Sequence, residues 1–174
     1  MKSFLVVIDM QNDFVDGALG TKEALIAAEN AKDIINNFDG EIFVTYDTHG
    51  EGYLETAEGK KLPVKHCIDG TDGHKLHPII AGALEGKAFT EVKKYTFGSI
   101  KLPKILLAAS GGEDFSITLV GLCTDICVIS NALILKAHFP NNKLSVIERA
   151  CAGVTPESHS AAITTMKMCQ IDIV

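Results

Sequence analysis

The sequence predicts an α/β fold built on a central, mainly parallel sheet, and three observations carry that expectation. Short apolar, β-branched runs alternate with longer segments of helical period, the pattern of parallel strands joined by crossover helices. The chain has 174 residues, 47% of them hydrophobic, which fits one domain with a sizeable core, residues 1–174 forming a single unit. Residues able to do chemistry fall where apolar runs end, the rim at which open parallel sheets bind ligands.

Each element can be justified in order. Phe4–Asp9 opens the chain as a buried strand ending on a carboxylate. Thr21 is placed to cap a helix, with Glu23 in its first turn and Leu25, Ala28, Ala31, Ile34, Ile35 and Phe38 at helical spacing before Gly40. Glu41–Tyr46 reads as the second strand. Residues 47–86 break the rhythm with Gly, His, Thr and charge, and with Pro63 and Pro78, so a long functional loop is expected there. A strand over Ala88–Val92 follows, then a turn at Thr96–Ser99 and a helix over Pro103–Ala109 stopped by Gly111 and Gly112. Phe115–Leu122 is the next strand, and Thr124–Asp125 is expected to cap a helix bearing Val128, Ile129, Ala132, Leu133 and Lys136. Leu144–Glu148 is a strand, Thr155-Pro156-Glu157 starts a helix, and Ile171–Val174 fits a final edge strand.

Bulk properties exclude several classes of function. A net charge of −6 with scattered Lys and Arg argues against a nucleic-acid or anionic-membrane surface. The apolar run Phe4–Ile8 is too short for a signal segment or membrane span. Five cysteines without a paired CxxC motif imply a reducing, cytoplasmic setting.

Five residues map to one rim: Asp9 after the first strand, Asp47 and His49 after the second, Lys94 after the third and Cys127 after the fourth. Cys127, in the first turn of its helix, is expected to gain thiolate character from the helix dipole and a neighbouring ammonium, with Asp9 as proton acceptor. Lys93 is the adjacent alternative to Lys94. Phe14, Tyr53, Tyr95 and Phe97 belong to rim loops and are candidates to stack on a flat substrate. His74, His77, His138 and His159 are read as surface or helix-end residues, and Cys67, Cys123, Cys151 and Cys169 as packing.

The segments VVIDMQNDF (Val6–Phe14), YDTH (Tyr46–His49), LPVKHCIDGTDG (Leu62–Gly73), KYTFGS (Lys94–Ser99) and GLCTDICV (Gly121–Val128) together resemble the isochorismatase-like cysteine hydrolases, nicotinamidase type, over nearly the whole chain. The resemblance implies a three-layer α/β/α, Rossmann-like fold and a catalytic triad of Asp9, Lys94 and Cys127. It implies a cis peptide at Leu122–Cys123, with the amides of Cys123 and Cys127 aimed at an oxyanion. Members that cleave the vinyl ether of isochorismate lack the cysteine, so its presence implies C–N bond hydrolysis. The resemblance also implies a divalent metal, zinc, iron or manganese, held by Asp47, His49 and His66, with Glu58 as the nearest further ligand and Glu55 behind it. The expected substrate is a small carboxamide, nicotinamide first, with another amide or a carbamoyl compound as the enzymatic alternative and a non-catalytic binding module as the alternative outside catalysis. Family members are commonly homo-oligomers. The chain departs from nicotinamidases in one segment, where Leu62 replaces the usual aromatic before the proline and Val64 and Lys65 replace a single residue before His66.

Overall fold

The computed structural model describes residues 1–174. Six parallel strands form one sheet: β1 (Lys2–Ile8), β2 (Glu41–Asp47), β3 (Phe89–Lys94), β4 (Phe115–Leu122), β5 (Leu144–Ala152) and β6 (Asp172–Ile173), in the order β3-β2-β1-β4-β5-β6. Seven helices accompany them: α1 (Asn12–Val15), α2 (Lys22–Asn37), α3 (Ala57–Lys61), α4 (Pro78–Leu84), α5 (Leu102–Ser110), α6 (Ile129–His138) and α7 (Pro156–Met168).

Three layers follow from the two-residue period of the strands. Along β1, Phe4, Val6 and Ile8 point to one face, where they pack with Leu102 and Leu106 of α5, Ala132 and Leu135 of α6 and Ile163 of α7. Leu5 and Val7 point to the other face, against Ala24, Ala28, Ala31 and Ile35 of α2 and Ile80 of α4. The alanine stripe of α2 lets its backbone lie close to the sheet. No helix is long and apolar enough to cross a membrane.

The strand order reverses between β1 and β4, because the chain winds outward through β2 and β3 on one side and through β5 and β6 on the other. Such a switch point opens a crevice beyond the carboxyl ends of the two strands. Ile8 pairs with Gly121 there. Gly121 has φ 136°, and a Cβ on it would lie 2.1 Å from the Ile8 carbonyl oxygen, so only glycine lets the strands meet at this height. Gly121→Ala is expected to lower stability by about 3 kcal/mol through overpacking and a disfavoured backbone angle, read by chemical denaturation.

Several sequence expectations are corrected. Residues 47–86 contain two helices, α3 and α4, and a 3-10 turn at Tyr53–Glu55. Thr56 and His77 cap α3 and α4 with their side chains, and Pro78 starts α4 rather than interrupting a helix. The third strand runs through Lys94, so Lys94 is its last residue. The strand expected to stop at Glu148 continues to Ala152, with a register shift against β4 between Leu119 and Gly121; the charged Glu148 and Arg149 mark an irregularity, not an end. Thr124 and Asp125 do not cap a helix. Thr124–Val128 form a π-helical turn, in which Thr124 Oγ1 bonds His159 Nδ1 at 2.8 Å and the Asp125 carboxylate accepts from Val154 N–H.

Candidate active site

Asp9 directly follows β1 in a left-handed conformation, φ 49°, unusual for a residue with a side chain. Its carboxylate is fully buried and fixed by Thr45 of β2, whose hydroxyl donates to Asp9 Oδ1 at 2.6 Å. Lys94 reaches the same point because β3 alternates: Val92 and Lys94 face inward, while Glu91 and Lys93 face solvent. Lys93 pairs instead with Asp69 at 2.9 Å. The Lys94 ammonium, 2% exposed as a residue, lies 2.6 Å from Asp9 Oδ2, 3.1 Å from Asp47 Oδ1 and 3.4 Å from Cys127 Sγ, and donates to the Thr96 carbonyl at 3.1 Å. Cys127 arrives from the π-helical turn after β4, and the Leu122–Cys123 bond that begins this turn is cis.

Three groups remote in sequence thus meet at the switch point, and their burial sets their protonation. Burial pushes the Cys127 thiol well above its ordinary value, and the Asp9 carboxylate adds to the rise; the Lys94 ammonium opposes both without overcoming them. Burial therefore works against the helix start and the ammonium that the sequence places beside this sulfur. Burial also raises Asp9, against the pull of Lys94, which makes it a stronger base than a solvated carboxylate. Burial disfavours the Lys94 charge, yet the carboxylates of Asp9 and Asp47 outweigh it and the ammonium is held charged. Because burial raises the thiol, deprotonation of Cys127 is displaced to higher pH than in a solvated cysteine. Iodoacetamide labelling of Cys127, followed by peptide mass spectrometry, is expected to accelerate only above the ordinary cysteine range; rapid labelling at neutral pH would contradict this.

A second cluster adjoins the first. Ligand atoms of Asp47, His49, Glu58 and His66 all lie within 4.8 Å of one another. Asp47 Oδ2 is 3.0 Å from His49 Nε2 and 3.7 Å from His66 Nε2, and Glu58 Oε1 is 3.6 Å and 3.7 Å from the same two nitrogens. A cation bound at about 2.1 Å by tetrahedrally arranged ligands separates neighbouring ligand atoms by about 3.4 Å, so the set fits a divalent ion such as zinc. His66 Nδ1 lies 2.8 Å from the Val64 carbonyl, which can only accept; Nδ1 therefore carries the proton and Nε2 is left with its lone pair. Asp47 divides its oxygens, Oδ1 toward Lys94 and Oδ2 toward the histidines, so one carboxylate belongs to both clusters.

The folding of the 47–86 segment explains how the cluster is assembled. Gln11, fully buried, donates to the carbonyls of Asp47 and His74 and accepts from Asp47 N–H, clamping the end of β2 to the loop. Backbone bonds from His49 N–H to Cys67 and from Asp69 N–H to His49 lay the His66 stretch beside His49. Thr56 caps the helix that presents Glu58, and Gly59 lets that helix press against the Tyr53 carbonyl, 2.1 Å from where a Cβ would stand. Glu55 lies outside the cluster.

A cavity of about 620 Å³ opens over both clusters, with Cys127, Asp47, Glu58 and His66 in its wall. Phe14, Phe97 and Cys123 line it, as expected for Phe14 and Phe97. Tyr53 does not. It is 1% exposed, its ring packs on His49 and His66 at 4.6 Å and 4.9 Å, and its hydroxyl donates to the Leu62 carbonyl, so it supports the histidines from behind. His74 is buried beside Thr48 rather than on the surface, and Cys169 is exposed rather than packed. Sequence reading missed Gln11, Thr45 and Asn131. The last is a fully buried amide that bonds the Cys127 and Phe97 carbonyls and the Ser99 N–H. A polar side chain within an otherwise apolar strand or helix face was the available signal for Thr45 and Asn131.

Comparison with known proteins agrees with this fold. A protein of Bacillus subtilis described as the uncharacterised isochorismatase family protein PncA is 30% identical over 178 residues, spanning 94% of this chain and 93% of its own. The crystal structure of nicotinamidase PncA from Bacillus subtilis shares the fold at a TM-score of 0.83 with 22% identity, covering 100% of this chain and 99% of that one. The pyrazinamidase of Pyrococcus horikoshii in complex with zinc does so at 0.82 with 23% identity, covering 100% and 99%. The isochorismatase domain matches residues 3–174, and the chain belongs to the isochorismatase family of hydrolases.

Proposed function

We propose that the protein is a nicotinamidase-type cysteine amidase that hydrolyses a small carboxamide to its acid and ammonia. The observation that carries this reading is the contact of one ammonium with Asp9, Cys127 and Asp47 beneath a substrate-sized cavity. Two of the similar solved proteins are described as nicotinamidase and pyrazinamidase, which supports an aromatic carboxamide as substrate.

In the proposed reaction, Asp9 takes the thiol proton of Cys127 as the sulfur attacks the amide carbon. Lys94 stabilises the anionic sulfur, replacing the proton that Asp9 removes. The amides of Cys123 and Cys127 are assigned to the developing oxyanion. The C–N bond breaks, Asp9 returns its proton to the leaving ammonia, and an acyl thioester remains on Cys127. Asp9 then deprotonates a water that adds to the thioester; the C–S bond breaks and the acid leaves with Cys127 again a thiol.

Asp47, His49, Glu58 and His66 would hold the divalent cation, which when bound supplies a Lewis-acidic contact for a ring nitrogen or for water. The test is ammonia release from nicotinamide together with elemental analysis of the purified protein. The expected result is turnover, about one divalent ion per chain, and loss of that ion in His66→Ala. No ammonia from any aromatic carboxamide would overturn the amidase reading.

A further inference from the structure

The cavity extends well beyond the two clusters. A single pyridine ring with its amide carbon at Cys127 and its nitrogen toward His66 uses the end walled by those residues and Asp47. The remaining wall comes from other segments: Leu19 and Ala24 around the start of α2, Ala57 and Leu62 at either end of α3, and Val154 after β5. A volume of about 620 Å³ falls in the range of roughly 300–1,000 Å³ that holds drug-sized ligands, more than one six-membered ring fills.

The mouth of this extension is apolar and uncovered. Leu62, Phe97 and Val154 are 36%, 41% and 53% exposed, and all three line the cavity. They come from three separate segments, so their convergence is a property of the fold. Exposed apolar side chains gathered at the rim of a concave site mark a surface that a ligand covers. Besides Glu58 of the metal cluster, α3 brings Lys61 to this part of the wall, whose aliphatic stem can flank an apolar ligand while its ammonium stays in water.

We propose that the preferred substrates are aromatic carboxamides bearing an apolar substituent, with the amide over Cys127 and the substituent lying along Leu19, Ala24, Leu62 and Val154. This rests on the amidase reading and names its substrate class. Leu62 is then a specificity-determining residue: its side chain is small enough to leave the extension open, and a large aromatic ring there would fill it.

The experiment measures kcat/KM for ammonia release from the metal-loaded protein. The substrates are nicotinamide and nicotinamides carrying butyl or phenyl at the ring carbon meta to both the amide and the ring nitrogen. The expected result is at least a tenfold higher kcat/KM for the substituted amides, arising mainly in KM. That margin, about 1.4 kcal/mol, is well below what full burial of a butyl or phenyl group supplies, which leaves room for the cost of ordering the ligand. In Leu62→Trp, the ratio of substituted to unsubstituted kcat/KM should fall at least tenfold. Hydrolysis of nicotinamide with equal or poorer hydrolysis of the substituted amides would overturn this proposal and leave the amidase reading standing. Release of ammonia from none of them would overturn both.

Discussion

Replacing Cys127 by Ala is expected to reduce amide hydrolysis by on the order of 10⁴-fold while leaving the thermal transition nearly unchanged. The thiol is the only group in the cavity wall able to form an acyl intermediate under the control of both an acid and an ammonium. Deleting the nucleophile removes the whole covalent route, because Asp9 and Lys94 then have nothing to activate. The fold should tolerate the change: one small atom bordering the cavity is removed, and the variant leaves the 2.6 Å Lys94–Asp9 contact in place. Steady-state ammonia release and a melting curve on the same sample check both halves. Retained turnover would show that the attacking group is not this sulfur.

The second large effect concerns stability. Lys94→Met should destabilise the protein by about 3–5 kcal/mol, because it leaves the buried carboxylates of Asp9 and Asp47 without their shared counter-ion. The double variant Asp9→Asn with Lys94→Met is expected to recover part of that loss, since one of the two stranded charges is gone. A double-mutant cycle by urea denaturation measures the difference. Additive losses would mean that the ammonium and Asp9 do not interact in the folded state. Both variants should be inactive, but for unlike reasons: one has lost the group that stabilises anionic sulfur, the other also its proton carrier.

The positions of the chemical groups were legible in the sequence because strand ends are. Asp9 and Asp47 each lie at or directly after an apolar run and Lys94 ends a short alternating one, and parallel topology brings such ends to one edge whatever the order of the strands. Period-two alternation also separates Lys94 from Lys93 once the strand is extended by two residues. The protonation state of Cys127 was not legible, since it depends on how completely the π-helical turn is covered and on Asp9 facing the sulfur. The interior of the 47–86 segment was obscured for a different reason. Its helices are only 5 and 7 residues long, too short for a hydrophobic period, and they are stabilised by side-chain caps from Thr56 and His77. Tyr53 was misread because an aromatic in a polar loop looks the same whether it faces a ligand or braces two imidazoles.

The reversal of strand order between β1 and β4 has a kinetic consequence. Lys2 sits beside Phe115, and every residue of β1 is matched to a β4 partner from the far half of the chain. Contacts of that span close slowly, since a long loop must be ordered before they form. Asp9 and Cys127 come together only across this pairing, so during refolding from denaturant the recovery of enzymatic turnover should trail the return of helical circular dichroism and coincide with burial of the central strands.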